Sequence, residues 1–300
     1  MNNIIKRYEE YLEKELNYSA NTIKSYLSDL NDYQLYLEDY NIKYLKINRN
    51  NIRDYLKILD DNKLTNKTIS RKLTSLRMFY EYLLDIKLIN NNIFNNISNP
   101  KIEKNLPHYL NYNEIDDLIN NLPNESIFDI RNKLIIELLY STGIRLDEIT
   151  NLMLKNINKS DKIIKVVGKG NKEREVYFGT DAYNSLNEYL NNARSELLNN
   201  KTSEYLFINR FGNKLGSSSI YKVVRDSIKY ISSKRKISPH TLRHTFATHL
   251  LNNGADIKSV QALLGHENIN TTEIYTHVSN KEIKDIYLKT HPRKGIDYEE

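Results

Sequence analysis

The chain contains no cysteine and only five prolines in 300 residues. Without thiols there is no disulfide, no thiolate metal site and no cysteine nucleophile. No apolar run approaches the ~18 residues of a membrane span, so none is predicted. The opening stretch, Met1-Asn2-Asn3-Ile4-Ile5-Lys6-Arg7-Tyr8-Glu9-Glu10, reaches acidic residues before any secretory h-region can form. A cytoplasmic location is therefore expected. Gly168-Lys169-Gly170 lacks the glycine spacing and the Ser/Thr after lysine that a P-loop requires. No internal repeat is present.

What remains is ordinary in bulk. A hydrophobic content of 39% supports globular packing, and the length suggests two domains. The net charge of +6 favours an anionic partner, but the basic excess is shared by both halves and forms no polybasic tail. Runs such as Asn90-Asn91-Asn92 and Asn199-Asn200 reflect low-GC codon bias rather than function.

The first hundred residues are expected to be helical. Ser19 fits an N-cap ahead of Ile23, Leu27, Leu30, Tyr33 and Leu37, which recur at helical spacing. A second helix is expected from about Thr68, with Ile69, Leu73, Leu76, Tyr80 and Leu83 on one stripe. Arg71, Lys72 and Ser75 fall off that stripe, on a face that either lies along DNA phosphates or is simply solvated. A break is expected near Ser98-Asn99-Pro100, closed by Leu106-Pro107. Helices resume at Asn113 and run to about Tyr140. The β-rich runs Lys162–Val167 and Glu173–Phe178 flank a glycine-bearing hairpin, and Tyr205-Leu206-Phe207-Ile208 is the expected third strand. From Ser217 onward the chain is helical again.

Several polar groups stand out. Arg145 and Glu148 are one helical turn apart. A guanidinium fork matches phosphate, with Glu148 to orient it, whereas an ordinary surface pair at this spacing is worth about 0.2–0.5 kcal/mol. Ser238 and Pro239 suit the start of a helix, which places His240 and Arg243 in its first turns, where anions are favoured. A metal held by His240 and His244 is the rival there. It lacks the glutamate of a His-Glu-x-x-His motif, and Arg243 would repel a dication. Lys169 sits at the hairpin tip with Lys172 close by, and His266 follows Leu264-Gly265. His244 and His249 are expected to pack. Tyr275 is one of 23 tyrosines, and chemistry alone does not select it.

Together, Thr142-Gly143-Ile144-Arg145-Leu146-Asp147-Glu148, Pro239-His240-Thr241-Leu242-Arg243-His244, Leu264-Gly265-His266 and Thr271-Thr272-Glu273-Ile274-Tyr275 form an ordered set. This set resembles the tyrosine recombinases, DNA strand-exchange enzymes that include phage integrases and the bacterial Xer proteins. Near the start, Ser19-Ala20-Asn21-Thr22 and Arg71-Lys72-Leu73 look like the Xer core-binding domain, and His291-Pro292-Arg293 looks like the Xer ending. The resemblance implies a mainly α fold. A helical, SAM-like core-binding domain over residues 1–99 would be joined by a linker, 100–107, to a mixed α/β catalytic domain, 108–300, with a small antiparallel three-stranded sheet.

It further implies that Tyr275 is the nucleophile and that Arg145, Arg243, His240 and His266 act on the phosphoryl oxygens. His240 would alternatively accept the tyrosine proton. Lys169 would be the general acid, with Lys172 the weaker candidate, and Arg71, Lys72 and Lys172 would contact DNA. No cofactor or metal is implied. The implied partner is duplex DNA with inverted half-sites, bound by a homotetramer or by a heterotetramer with a related recombinase, in which the helix at 281–288 docks on a neighbouring subunit. Xer-like chromosome dimer resolution is the expected role. An integrase of a mobile element, a non-cleaving DNA-binding factor on the same scaffold and a type IB topoisomerase are the alternatives.

Overall fold

The computed structural model describes residues 1–102, 108–168, 173–231, 236–265 and 280–294. The chain divides into two compact units, Met1–Asn105 and Leu106–Glu300. No helix among the described residues is long and apolar enough to cross a membrane.

The first unit is built from α1 (Asn2–Lys14), α2 (Ala20–Asp39), α3 (Arg49–Asp61) and α4 (Asn66–Asp85). Side-chain oxygens of Ser19 and Thr65 accept the N–H groups of Thr22 and Thr68, so α2 and α4 start where the sequence offers a cap. Both expected stripes face inward: Leu30, Tyr33, Leu73, Leu76 and Leu83 are fully enclosed. The core is largely aromatic. Tyr33 and Tyr80 share a hydroxyl contact of 3.1 Å, and Tyr80 donates onward to the Tyr44 carbonyl at 2.7 Å.

The face expected to carry Arg71, Lys72 and Ser75 outward turns in instead. Asp29 of α2 is buried, and a buried carboxylate needs cations and donors. Arg71 bonds it directly, Ser75 Oγ donates to its Oδ2 at 2.7 Å, and Lys72 Nζ lies 3.3 Å from its Oδ1 and 2.5 Å from Asp32 Oδ2. Lys72 and Ser75 are therefore buried structural groups, and of the three only Arg71 keeps a substantially exposed side chain.

The second unit begins with α5 (Tyr112–Asn120), α6 (Ile127–Thr142) and the short α7 (Leu146–Thr150). The segment around Pro123 separates α5 from α6, and Ser126 with Asp129 forms a capping box that restarts the helix. A three-stranded antiparallel sheet follows: β1 (Ile157–Asn158), β2 (Ile163–Val167) and β3 (Glu173–Tyr177), in that order. Ile163 pairs with Tyr177 and Val167 with Glu173.

The expected third strand is thus misplaced. Tyr205 and Ile208 make only isolated bridges, to Met153 and Lys214. Leu206, Phe207 and Ile208 are all buried, without a strand's alternation, and the Leu206 carbonyl is taken by Tyr189 Oη and Arg194 Nε rather than by a ladder.

Then come α8 (Thr180–Glu188), which runs through a π turn into α9 (Arg194–Leu198), α10 (Ser217–Asp226), α11 (Pro239–Asn252), α12 (Ile257–Leu264) and α13 (Asn280–Thr290). In the isolated chain α13 packs on α11, α12 and β3 of its own unit. Tyr287 is fully buried there, with Ile283, Ile286 and Leu288 partly so. These residues thus have an internal surface in the single chain. Beyond α13, Arg293 Nε donates to the buried Glu137 at 2.8 Å, and its guanidinium lies 3.3 Å from Asp181. Removing one partner of a buried pair strands the other, so Arg293→Ala should cost about 3–5 kcal/mol, read as a fall in the urea midpoint of the purified chain.

Candidate active site

Two helix ends and one strand assemble the site. α6 stops at Gly143, whose φ of +60° is the left-handed conformation that glycine adopts freely. A Cβ at Gly143 would meet Phe246 at 2.5 Å, so α11 also requires glycine there. The chain then turns through Ile144 to Arg145, which sits at the N-cap of α7 rather than within the helix. α12 ends in the same way at Gly265, with φ +62°.

α11 is fixed at its start by Ser238 and Thr241, which cap reciprocally, and by Pro239 in its first turn. This leaves His240 exposed on the opening turn and Arg243 buried one turn further on. His249, a further turn in, is fully buried, with Nδ1 2.9 Å from Tyr140 Oη and its ring stacked on Tyr112. His244 is half-buried beside Tyr109. Burial, with His240 nearby, lowers its pKa.

The guanidiniums converge on the C-terminus of α12. Arg243 donates to the Leu264 carbonyl at 2.6 Å and, with its other arm, to the Gly143 carbonyl. Arg145 Nη2 donates to the Gly265 carbonyl at 2.7 Å, and its Nη1 to Glu148 Oε1 at 2.9 Å. Arg174 of β3 was not anticipated. It donates Nε to the Leu263 carbonyl at 3.2 Å and grips both oxygens of Glu148, at 2.5 and 2.9 Å. Its signal was present in strand alternation: Arg174 shares a face with the buried Val176 and pairs with the buried Val166, positions where a lone arginine needs an internal partner.

Glu148 is therefore the shared counter-ion of two arginines. Burial pushes its carboxyl up, but the hydrogen bonds and charge of Arg174, followed by those of Arg145, outweigh this and hold it below the usual carboxylate range. Arg243 shows the converse. Burial, then the nearby charges of Arg145 and Arg174, pull its guanidinium down to about 9. Among the described residues, Arg145, Arg174 and Arg243 cluster around one carboxylate, Glu148. A guanidinium fork matches the geometry of paired phosphate or carboxylate oxygens.

The structure thus brings together Arg145, Glu148 and Arg243, with His240 at the exposed start of the same helix as Arg243. Lys169, Lys172, His266 and Tyr275 lie outside the described residues. Gly265, which precedes His266, is itself held by Arg145.

Comparison with known proteins identifies the family. Residues 108–282 match the phage integrase family, and residues 5–87 match the phage integrase N-terminal SAM-like domain. The chain is 40% identical to tyrosine recombinase XerC of Staphylococcus epidermidis over 295 residues, covering 98% of each protein. It is 41% identical to the XerC of Anoxybacillus flavithermus, covering 98% of this chain and 99% of that one. Among solved structures, XerH bound to its difH substrate in a pre-cleavage complex is 25% identical with a TM-score of 0.68, covering 91% of this chain and 82% of the other. A lambda integrase dimer on a core site shares the fold, with a TM-score of 0.69 at 18% identity, covering 89% of this chain and 95% of that one. The chain therefore belongs to the phage integrase family and is a tyrosine-type site-specific DNA recombinase.

Proposed function

We propose that this recombinase cuts and rejoins duplex DNA through a 3′-phosphotyrosyl link on Tyr275, in a role like that of the Xer proteins in resolving chromosome dimers. The observation that carries the chemistry is the convergence of Arg145 and Arg243 on the end of α12, with Glu148 as their shared neighbour. Such a cluster holds the two non-bridging oxygens of a phosphodiester and stabilises the charge that builds on them as the phosphorus becomes five-coordinate.

Tyr275 Oη attacks the phosphorus in line and the bond to the 5′ oxygen breaks. Lys169 gives that oxygen its proton, while His240 takes the tyrosine proton or donates to the phosphoryl oxygens, and His266 donates to them as well. A 5′ hydroxyl from a second duplex then attacks the phosphotyrosine, restoring the tyrosine and completing the exchange through a Holliday junction. The energy of the broken bond is kept in the covalent link, so the transfer balances without nucleotide hydrolysis.

The DNA partner would be a site of two inverted half-sites, gripped by Arg71 and Lys172 as well as by the catalytic residues. Four subunits, identical or shared with a related recombinase, would assemble on two such sites in the cytoplasm. Lys72, buried between Asp29 and Asp32, would act through the placement of Arg71 rather than on phosphate itself. Sequencing the junctions formed on a genomic library tests the assignment. Recombination at one chromosomal site supports the Xer-like role, and junctions joining a mobile element to scattered targets reject it.

Two outcomes are expected on a nicked suicide duplex. Tyr275→Phe should bind the DNA yet form no adduct that survives denaturing electrophoresis, and Arg243→Ala should slow adduct formation by about 10²–10³. An adduct with Tyr275→Phe would move the nucleophile elsewhere.

Sulfur at the bridging 5′ position makes a leaving group that needs little protonation. Lys169→Ala should therefore cleave ordinary DNA poorly and sulfur-substituted DNA well. Rescue of Lys172→Ala but not of Lys169→Ala would transfer the acid to Lys172.

A further inference from the structure

Arg174 links three parts of the site that are distant in sequence. It projects from β3, which pairs antiparallel with β2, and the strand register sets it opposite the buried Val166. Its fork holds both oxygens of Glu148, and a bidentate guanidinium–carboxylate pair fixes orientation as well as distance. Glu148 in turn accepts from the backbone N–H of Arg145 at 2.8 Å and from its side chain at 2.9 Å. The third donor of Arg174, Nε, reaches the Leu263 carbonyl, and its stem lies against Gly265, where an added Cβ would come within 2.8 Å of Arg174 Cδ. One guanidinium thus joins the hairpin strand, the Arg145 turn and the end of α12 that leads to His266.

We propose that Arg174 is a positioning residue of the recombination reaction. It holds the base of the β2–β3 hairpin in register with Arg145, so that the hairpin's lysine and the phosphate-gripping arginine address the same phosphodiester. The proposal rests on the reading of Lys169 as general acid and adds the device that keeps the acid aligned. Each guanidinium nitrogen of Arg174 is already engaged by Glu148 or Leu263, so Arg174 acts through Glu148 and its own strand. The competing role is simple neutralisation of a buried carboxylate. A lysine would serve that role, but it cannot make the planar two-toothed grip while also reaching Leu263.

Arg174→Lys separates the two roles, and the double variant Glu148→Gln/Arg174→Gln, which replaces the ion pair with a neutral hydrogen-bonding pair, guards against failure to fold. Full-length proteins are compared by urea midpoint, by affinity for half-site DNA, and by single-turnover cleavage of a nicked duplex with oxygen or sulfur at the bridging 5′ position. Both variants should fold and bind half-site DNA like the wild type. Their cleavage of ordinary DNA should fall about 100-fold, the scale of a small misplacement of reacting groups.

Sulfur should recover part of that loss, the part due to a displaced acid, and leave the part due to Arg145. Wild-type cleavage by Arg174→Lys on both substrates would overturn the proposal. So would a loss of binding that matches the loss of cleavage, and an absence of any sulfur rescue would break the link to the hairpin. A wild-type protein that forms no adduct would instead sink the recombinase reading beneath it, and the sulfur substrate with Lys169→Ala separates that failure from this one.

Discussion

Three successive carbonyls at the end of one short helix hold the catalytic unit's charges together. Leu263, Leu264 and Gly265 accept, in order, from Arg174, Arg243 and Arg145. The last carbonyls of a helix have no partner within it and carry the negative end of its dipole. Such an end is one of the few neutral structures able to gather cations without cancelling them. A carboxylate in each place would have satisfied the arginines and left nothing for a phosphate. Here the carbonyls orient the guanidiniums, and Glu148 offsets part of their mutual repulsion.

The left-handed glycines follow from this requirement. Gly143 and Gly265 each end a helix by turning the backbone so that a free carbonyl faces an arginine. Both are also places where a side chain would collide, with Phe246 in one case and Arg174 in the other. The motifs Thr-Gly-Ile-Arg and Leu-Gly-His are therefore descriptions of two helix ends as much as of reactive groups. This explains why Arg145 lies at a cap and not inside a helix.

Much of this was legible from local pattern. The caps at Ser19 and Ser238, the stripes of α2 and α4 and the β2–β3 hairpin follow from propensities that act over a few residues. The features that were missed depend on distant partners. Lys72 looked like a solvated cation because nothing within its own helix reveals the buried Asp29 some forty residues earlier. By sequence Arg174 is only part of the β-rich run Glu173–Phe178, although its inward position in the alternation was readable. The segment 205–208 carries strand-forming residues but spends its backbone groups on Tyr189, Arg194 and Leu152. The apolar residues of α13 read the same whether the helix covers its own unit or another.

The two units share a device that the sequence conceals. In the first, Asp29 is buried with Lys72 inside and Arg71 half-exposed; in the second, Glu148 is buried with Arg174 inside and Arg145 half-exposed. In both, an acid and an internal cation form a fixed base from which a partly exposed guanidinium extends. A free surface arginine carries roughly 2 kcal/mol of rotamer entropy, much of it lost on gripping a phosphate. An arginine already tied to fixed acceptors, as Arg71 is to Asp29 and Arg145 to Glu148 and Gly265, has surrendered much of that freedom during folding. Folding thus fixes these donors in advance of any ligand. A buried ion pair is a poor source of stability in itself, but here each one also anchors a partly exposed arginine.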